Sequence, residues 1–130
     1  MTGLSPEAKA LFDAPEYATI ATIEPDGRPQ LSVVWIERDG EDLLVSTIKG
    51  RRKHSNIVRD PRVTVLVYPK DNPYSYVEVR GTASMTEAGG RELIDRLSAQ
   101  YSGVDPYPGD EGTDNVRVVV RITPEKVVVR

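Results

Sequence analysis

The sequence contains no cysteine, and His54 is its only histidine. The lack of cysteine excludes disulfides, thiolate nucleophiles, cysteine-ligated zinc and iron–sulfur clusters. One imidazole cannot build a cage of histidine ligands, and it is a poor basis for a Ser-His-Asp system. We therefore expect no metal site and no hydrolytic triad.

Long apolar runs are also lacking. The longest apolar stretch lies around Val63 to Tyr68, is interrupted by Thr64, and is far too short to cross a bilayer. Residues 1–17 carry three acidic side chains and no long apolar segment, unlike a secretory signal. These absences predict a chain that does not enter a membrane and whose default location is the cytoplasm.

The chain has 130 residues, of which 38% are hydrophobic, and its formal net charge is −3. That size and apolar content suffice for one domain with its own core. No low-complexity run or extreme charge indicates disorder. We therefore expect residues 1–130 to form a single domain.

Most of the chain alternates between apolar and polar residues, with many β-branched side chains, which predicts strands. Pro25-Asp26-Gly27 and Asp39-Gly40 are typical of tight turns. Gly81 interrupts a long strand pattern and predicts a bulge. The predicted strands are 17–24, 30–38, 42–47, 63–68, 74–85, 116–122 and 126–129, the last two separated at Pro124.

Three short helices are predicted, over residues 6–12, 53–59 and 87–100. Ser5-Pro6-Glu7 is a typical helix start, Thr86 is the expected N-cap of the third helix, and Gly103 is its expected terminator. The order of elements does not alternate strand and helix as in a parallel sheet. It predicts a mainly β protein, a small antiparallel barrel of six or seven strands with helices at its ends.

Residues 49–62 contain six basic residues and one acidic residue, a charge of +5 that leaves −8 on the rest of the chain. Basic side chains at the start of a helix favour a compact anion such as a phosphate. The acidic remainder and the absence of interleaved aromatic residues argue against nucleic acid. The alternative is a solvated loop whose charges only aid solubility. Acidic pairs such as Asp110-Glu111 fall in predicted turns and are interpreted as solvated charge.

An ordered set of short motifs supports a more specific interpretation. The set consists of Gly27-Arg28-Pro29-Gln30, Val34-Trp35, Ser46-Thr47, Arg52-Lys53, Asn56-Ile57 and Asp60-Pro61-Arg62-Val63. It resembles the pyridoxamine-phosphate-oxidase-like split β-barrels. Within them it is most similar to the B group of flavin/deazaflavin oxidoreductases, which use the deazaflavin coenzyme F420. The resemblance covers residues 17–130 and implies an antiparallel split barrel that forms a homodimer.

The resemblance also implies a cofactor site in a groove between the two subunits. The phosphate is expected at Thr47, Arg52 and Lys53, the ring along residues 29–32, and contributions across the dimer from Trp35 and the segment 74–79. Arg51, Arg52 and Lys53 are neighbouring cations, and which of them binds the phosphate stays open. The candidate cofactor-binding residues are Pro29, Gln30, Leu31, Ser32, Trp35, Ser46, Thr47, Arg51, Arg52, Lys53, Asn56 and Tyr76.

The function that the resemblance implies is hydride transfer between F420 and a small conjugated organic acceptor. Such chemistry resides in the cofactor, and the protein supplies binding and orientation, so no catalytic residue is assigned. Two alternatives remain: an FMN-dependent oxidoreductase on the same barrel, and a cofactor-binding module without catalytic activity.

Overall fold

The computed structural model of the protein describes residues 3–130, and seven strands and three α-helices lie in this part of the chain. No helix within it is long and apolar enough to span a bilayer. The elements are α1 (Pro6–Asp13), β1 (Ala18–Ile23), β2 (Pro29–Val34), β3 (Glu37–Asp39), β4 (Asp42–Ile48), α2 (Arg52–Arg59), β5 (Arg62–Val67), β6 (Val77–Thr86), α3 (Gly90–Ser102) and β7 (Arg117–Val129), with a 3₁₀ turn at Pro108–Asp110.

The strands form one antiparallel sheet in the order β2-β1-β5-β6-β7-β4-β3. Helix α2 contacts both β1 and β4, although three strands lie between them in the sheet. The sheet is therefore strongly curled, while β2 and β3 remain as its two edges. This confirms the prediction of an antiparallel split barrel.

The inner face of the curled sheet holds the hydrophobic core. Ile20, Val45, Val65, Val79 and Val120 come from five different strands, are fully buried, and belong to one cluster. Helix α1 adds Ala8 and Phe12 to this cluster and contacts β3. The hydrophobic effect therefore stabilises the curl itself, because flattening the sheet would expose these side chains.

A bulge bends β6 and β7 at Gly81, as the sequence predicts. Arg80 pairs with Lys126, but Gly81 pairs with Pro124, so β7 has one extra residue at this point. The prediction of two final strands separated at Pro124 is wrong, because β7 continues through it. Proline is tolerated there because the ladder is already irregular at the bulge and needs no N–H from that residue.

The predicted strand 30–38 is interrupted at Trp35-Ile36. Its first part, β2, pairs with β1, and its second part, β3, pairs with β4 at the opposite edge of the sheet. The hydroxyl of Tyr101 accepts a hydrogen bond from the Ile36 N–H at 3.2 Å, which replaces a strand partner at the crossing. A single continuous strand is therefore the wrong prediction for this segment.

Helix α3 begins at Gly90, three residues later than predicted. Gly89 is the N-cap with a φ of 81°, while the Thr86 hydroxyl accepts from the Ala88 N–H within a turn. The hydroxyl thus satisfies a local turn instead of the helix, so Thr86 is not the N-cap. Gly103 ends the helix in the left-handed conformation with a φ of 73°, as predicted.

Replacing Gly81 by alanine is expected to destabilise the protein by about 2 to 3 kcal/mol, because the new Cβ would overlap the Thr123 carbonyl group across the bulge. Urea unfolding measures the loss. Gly3→Ala is the control, since the Cβ there meets only the flexible end of Glu41, and we expect a change within about 0.5 kcal/mol. Equal stability of the two variants would contradict the packing argument.

Candidate functional site

A cavity of about 340 Å³ lies where α2 and α3 approach the strands β2, β4 and β7. We call it the Lys53 pocket. Its walls combine basic, aromatic and aliphatic side chains from elements far apart in the sequence. They are Tyr17, Val33, Val34, Trp35, Ser46, Lys53, Ile94, Leu97, Tyr107 and Arg117.

Lys53 is the basic side chain of the pocket that lacks a carboxylate partner. It lies in the first turn of α2, is partly buried, and forms no ion pair among residues 3–130. Burial lowers the pKa of its ammonium group, and the nearby charge of Arg117 lowers it further. The attraction of an anion in the pocket would offset both effects and favour the charged form of Lys53, so the pocket is suited to an anionic group.

The aromatic wall of the pocket is built around Trp35. Its indole stacks on the Tyr101 ring with centroids 5.6 Å apart, and the Tyr107 ring meets it edge-on at 6.1 Å. Tyr17 continues the wall at 5.9 Å from Tyr101. Ring pairs of this kind favour rigid packing, so the Trp35 and Tyr107 rings hold a defined orientation beside the cationic group.

Arg117 is held at the pocket by a buried carboxylate. Its Nε and Nη2 donate to Asp110 at 2.7 and 2.9 Å, and its Nη1 donates to the Ser46 hydroxyl at 3.3 Å. Asp110 is only 8% exposed and also accepts from Arg91 at 3.1 Å and from Asn115 at 3.0 Å. The guanidinium therefore has a fixed position, 5.0 Å from the centre of the Tyr107 ring.

These contacts set the ionisation of Asp110. The hydrogen bonds from Arg117 are the largest influence and hold the pKa of this carboxyl at about 2, below its ordinary value of 3.8. The interpretation of Asp110 as solvated turn charge is therefore wrong. Asp110 instead ties the segment 103–116 to the start of β7.

The structure brings only part of the predicted phosphate site together. Lys53 and Ser46 line the pocket, whereas Arg52 points away and pairs with Glu24 at 3.3 Å. Arg51 is exposed at the N-cap of α2. Thr47 is buried because it faces the side of β4 opposite to Ser46. The side chains of Thr47, Arg52 and Lys53 therefore do not converge on one point.

The predicted ring-lining strand β2 has two different faces. Gln30 and Ser32 lie opposite buried residues of β1, while Leu31 and Val33 on the other face are 62% and 69% exposed. Pro29 lines a second surface depression together with Arg52. The Ser32 hydroxyl is buried and has no hydrogen-bond partner among residues 3–130. Side chains of β2 thus serve both the interior and an exposed apolar surface.

Two further predicted residues lie apart from the pocket. Asn56 is 2% exposed and donates a hydrogen bond to Thr22 at 3.0 Å inside the sheet. Tyr76 lines a groove between α1 and the ends of β6 and β7, with Leu11 and Val129. In a single chain, therefore, Tyr76 contributes nothing to the Lys53 pocket.

Sequence reasoning missed seven of the ten lining residues, among them three with aromatic or basic side chains: Tyr17, Tyr107 and Arg117. Tyr107 lies in a segment rich in Gly, Pro and Asp, where an aromatic side chain gives no periodic signal. Arg117 opens a strand and looks like any exposed basic residue. The ion pair between Asp110 and Arg117 is visible only in the three-dimensional structure, and it shows that these two residues belong to one site.

A curled antiparallel sheet that keeps two open edges and encloses a hydrophobic core defines the class of split-barrel domains. The family model described as pyridoxamine 5'-phosphate oxidase matches residues 4–130. The chain belongs to this family, which consists in general of oxidoreductases that use flavin-type cofactors.

Solved structures agree with this membership. An F420 reductase is 30% identical, with 92% of this chain and 94% of that chain covered and a TM-score of 0.81. A conserved hypothetical protein from Mycobacterium tuberculosis is 27% identical, with 97% and 84% covered and a TM-score of 0.73. General Stress Protein 26 from Bacillus anthracis, at 20% identity, 91% and 86% coverage and a TM-score of 0.65, shares the fold.

Replacing Asp110 by asparagine is expected to lower the free energy of unfolding by about 2 kcal/mol at neutral pH, because the carboxylate has a pKa of about 2 in the folded protein. A depressed pKa stabilises the folded state above the ordinary value of 3.8, and this contribution disappears as pH falls toward 2. Urea unfolding from neutral pH down to about pH 2 measures this contribution. The difference in the free energy of unfolding between parent and variant is expected to vanish near pH 2.

Asp114→Asn is the matched control, since Asp114 is exposed in the same segment and forms no ion pair among residues 3–130. Its stability is expected to follow that of the parent at every pH. A constant gap between parent and Asp110→Asn down to pH 2 would show that the carboxylate is not the titrating group.

Proposed function

We propose that the protein is an F420-dependent reductase that transfers a hydride between the deazaflavin and a small conjugated organic acceptor. The observation that carries the proposal is the Lys53 cation, which has no ion-pair partner within residues 3–130 and lies in an aromatic-walled pocket at the start of α2. The similarity to an F420 reductase at 30% identity supports the choice of deazaflavin. When bound, the cofactor supplies the hydride chemistry.

The chain's own residues would bind and orient the cofactor. Lys53 offers a point charge for its phosphate, and the first N–H groups of α2 favour the same anion. Ser46 and Arg117 lie in the same pocket, with Arg117 held in place by Asp110. Arg51 and Arg52 add positive charge outside the pocket, which favours the approach of an anionic ligand.

The flat part of the cofactor requires an apolar surface and protection from water. Trp35 and Tyr107 line the pocket with rings that meet edge to face. The strand β2 borders the pocket through Val33 and Val34. Exclusion of water by these side chains would strengthen every polar contact to the ring, because the local dielectric constant falls.

We also propose that the active form is a homodimer with the site at the subunit interface. The outward face of β2 presents Leu31 and Val33, and Tyr17 beside it is 55% exposed. An exposed apolar patch of this kind is typical of a protein interface. Since Val33 and Tyr17 also border the Lys53 pocket, a second copy on this face would complete the pocket wall.

Titration with oxidised F420 is expected to show binding by the parent, and Lys53→Met is expected to bind about 10- to 150-fold more weakly, the loss of one charge-assisted contact. Cofactor fluorescence measures the affinity. Arg62→Met is the control, because Arg62 is exposed and pairs with Asp60 at 2.7 Å. Arg59 cannot serve as a control, because its guanidinium donates to Ile23 and Asn56.

A parallel titration with FMN distinguishes the alternatives. Binding of FMN but not of F420 would replace the proposal by the FMN-dependent enzyme. Binding of F420 without oxidation of its reduced form by any conjugated acceptor would favour the non-catalytic module. Unchanged affinity in Lys53→Met would show that the pocket is not the phosphate site.

Val33→Glu is expected to shift the protein from dimer to monomer, because a carboxylate would be buried at the proposed interface without a partner. Sedimentation velocity at micromolar concentration measures the mass. Val58→Glu is the matched control, since Val58 is 67% exposed on α2, and we expect this variant to remain dimeric. A parent that sediments as a monomer would contradict the dimer.

A further inference from the structure

Two cations line the Lys53 pocket, and only Lys53 lacks an ion-pair partner among residues 3–130. The other cation, Arg117, is paired with Asp110, whose two carboxylate oxygens lie 2.7 and 2.9 Å from Arg117 Nε and Nη2. The side chains of Arg117 and Asp110 are 11% and 5% exposed, so water and salt screen this pair little. Asp110 therefore largely cancels the positive charge that Arg117 brings to the pocket.

The neighbours of this pair do not restore a positive charge. Arg91 also donates to Asp110 at 3.1 Å, but Arg91 is itself paired with Asp95 at 3.0 Å. These four side chains thus carry two positive and two negative charges. The segment 103–116, which contains Asp110, has four acidic residues and no basic residue. This side of the pocket therefore adds no net positive charge.

The cations of α2 outside the pocket contribute little to the charge inside it. Arg52 pairs with Glu24 at 3.3 Å. Arg51 is exposed at the N-cap of the helix, where water and salt screen its charge. The charged side chains that line the pocket, taken together with Asp110, therefore leave one net positive charge, that of Lys53.

Ser46 adds a neutral hydrogen-bond donor to the pocket. Arg117 Nη1 lies 3.3 Å from the Ser46 hydroxyl oxygen. Because a guanidinium can only donate, the hydroxyl accepts this bond and keeps its own hydrogen for another acceptor. Ser46 and Lys53 both line the pocket, which thus offers an anion one full charge and one hydroxyl hydrogen. This supply matches a ligand group with a single negative charge.

Phosphate groups differ in charge according to how many of their oxygens are esterified. A phosphodiester carries one negative charge, as each phosphate of a nucleic acid backbone does. A phosphomonoester has a second pKa of about 6 and carries between about −1.5 and −2 at neutral pH. The second charge of a monoester would enter the Lys53 pocket without a second cation to neutralise it, and Asp110 would repel it.

We propose that Asp110 is a specificity-determining residue that, by cancelling the charge of Arg117, makes the Lys53 pocket prefer a phosphodiester to a phosphomonoester. This inference rests on the proposed function, because it takes the pocket as the phosphate site of the cofactor. It supplies a physical reason for the choice between cofactors, since the phosphate of F420 is a diester and that of FMN is a monoester. Asp110 acts through Arg117 and needs no contact with the ligand.

The first experiment compares two ligands that share one ring system. FMN and riboflavin cyclic phosphate carry the same isoalloxazine ring, but the cyclic phosphate is a diester. Quenching of flavin fluorescence measures the affinity of each at about pH 8, where the monoester has lost its second proton. The parent protein is expected to bind the cyclic diester about tenfold more tightly than FMN. Equal affinities, or tighter binding of FMN, would overturn the inference.

The second experiment changes the charge around the pocket. Asp110→Asn leaves Arg117 without its counter-charge, and we expect FMN to gain about 10- to 30-fold in affinity relative to the cyclic diester. Adding Arg117→Gln to this variant removes both charges of the pair and is expected to restore the parent ratio. Asp114→Asn is the matched control, because it removes an exposed charge from the same segment, and its ratio is expected to stay within about twofold of the parent's.

The ratio of the two affinities separates specificity from stability. If Asp110 only held the segment 103–116 in place, Asp110→Asn would weaken both flavins alike and leave the ratio unchanged, which would overturn the inference. Should Asp110→Asn fail to fold, the parent ratio and the double variant decide the question. A parent that binds neither F420 nor either flavin overturns the proposed function and this inference with it. Binding of F420 by a parent that shows no preference for the cyclic diester overturns the inference alone.

Discussion

The bend at the bulge between β6 and β7 is the constraint on which the rest of the structure depends. β7 pairs with β6 on one side and with β4 on the other, so its curvature carries β4 around toward β1. Gly81 permits the close approach to Thr123 that the bend requires. The curvature of the sheet brings β1 and β4 to the same helix α2, which lies beside the enclosed core and carries the pocket at its start.

Much of the fold follows from local sequence signals. Alternating β-branched residues predict the strands because one face of each is buried, and the bulge at Gly81 follows from a glycine inside such a run. The interruption at Trp35-Ile36 has no such signal, since the alternation continues and neither glycine nor proline occurs there. It arises because successive strands belong to opposite edges of the curled sheet, a long-range property.

The site is less predictable than the fold, for reasons of geometry. Arg52 and Lys53 are adjacent cations, but successive residues on a helix differ by about 100° in direction, so one faces Glu24 and the other the pocket. The sequence shows the charge of this segment, but it does not show in which direction each side chain points from the helix. Asp110 and Arg117 likewise become partners only through the path of the segment between them, which no periodic pattern describes.

The position of β7 in the sheet has a consequence for synthesis of the chain. This strand follows all the others in the described sequence, yet it lies between β6 and β4 and supplies Val120 and Ile122 to the core. A nascent chain on the ribosome that lacks β7 therefore exposes two unpaired strand edges and an open hydrophobic interior. Folding is expected to be completed only after β7 has emerged, and until then the exposed strand edges and apolar side chains are open to association with other chains.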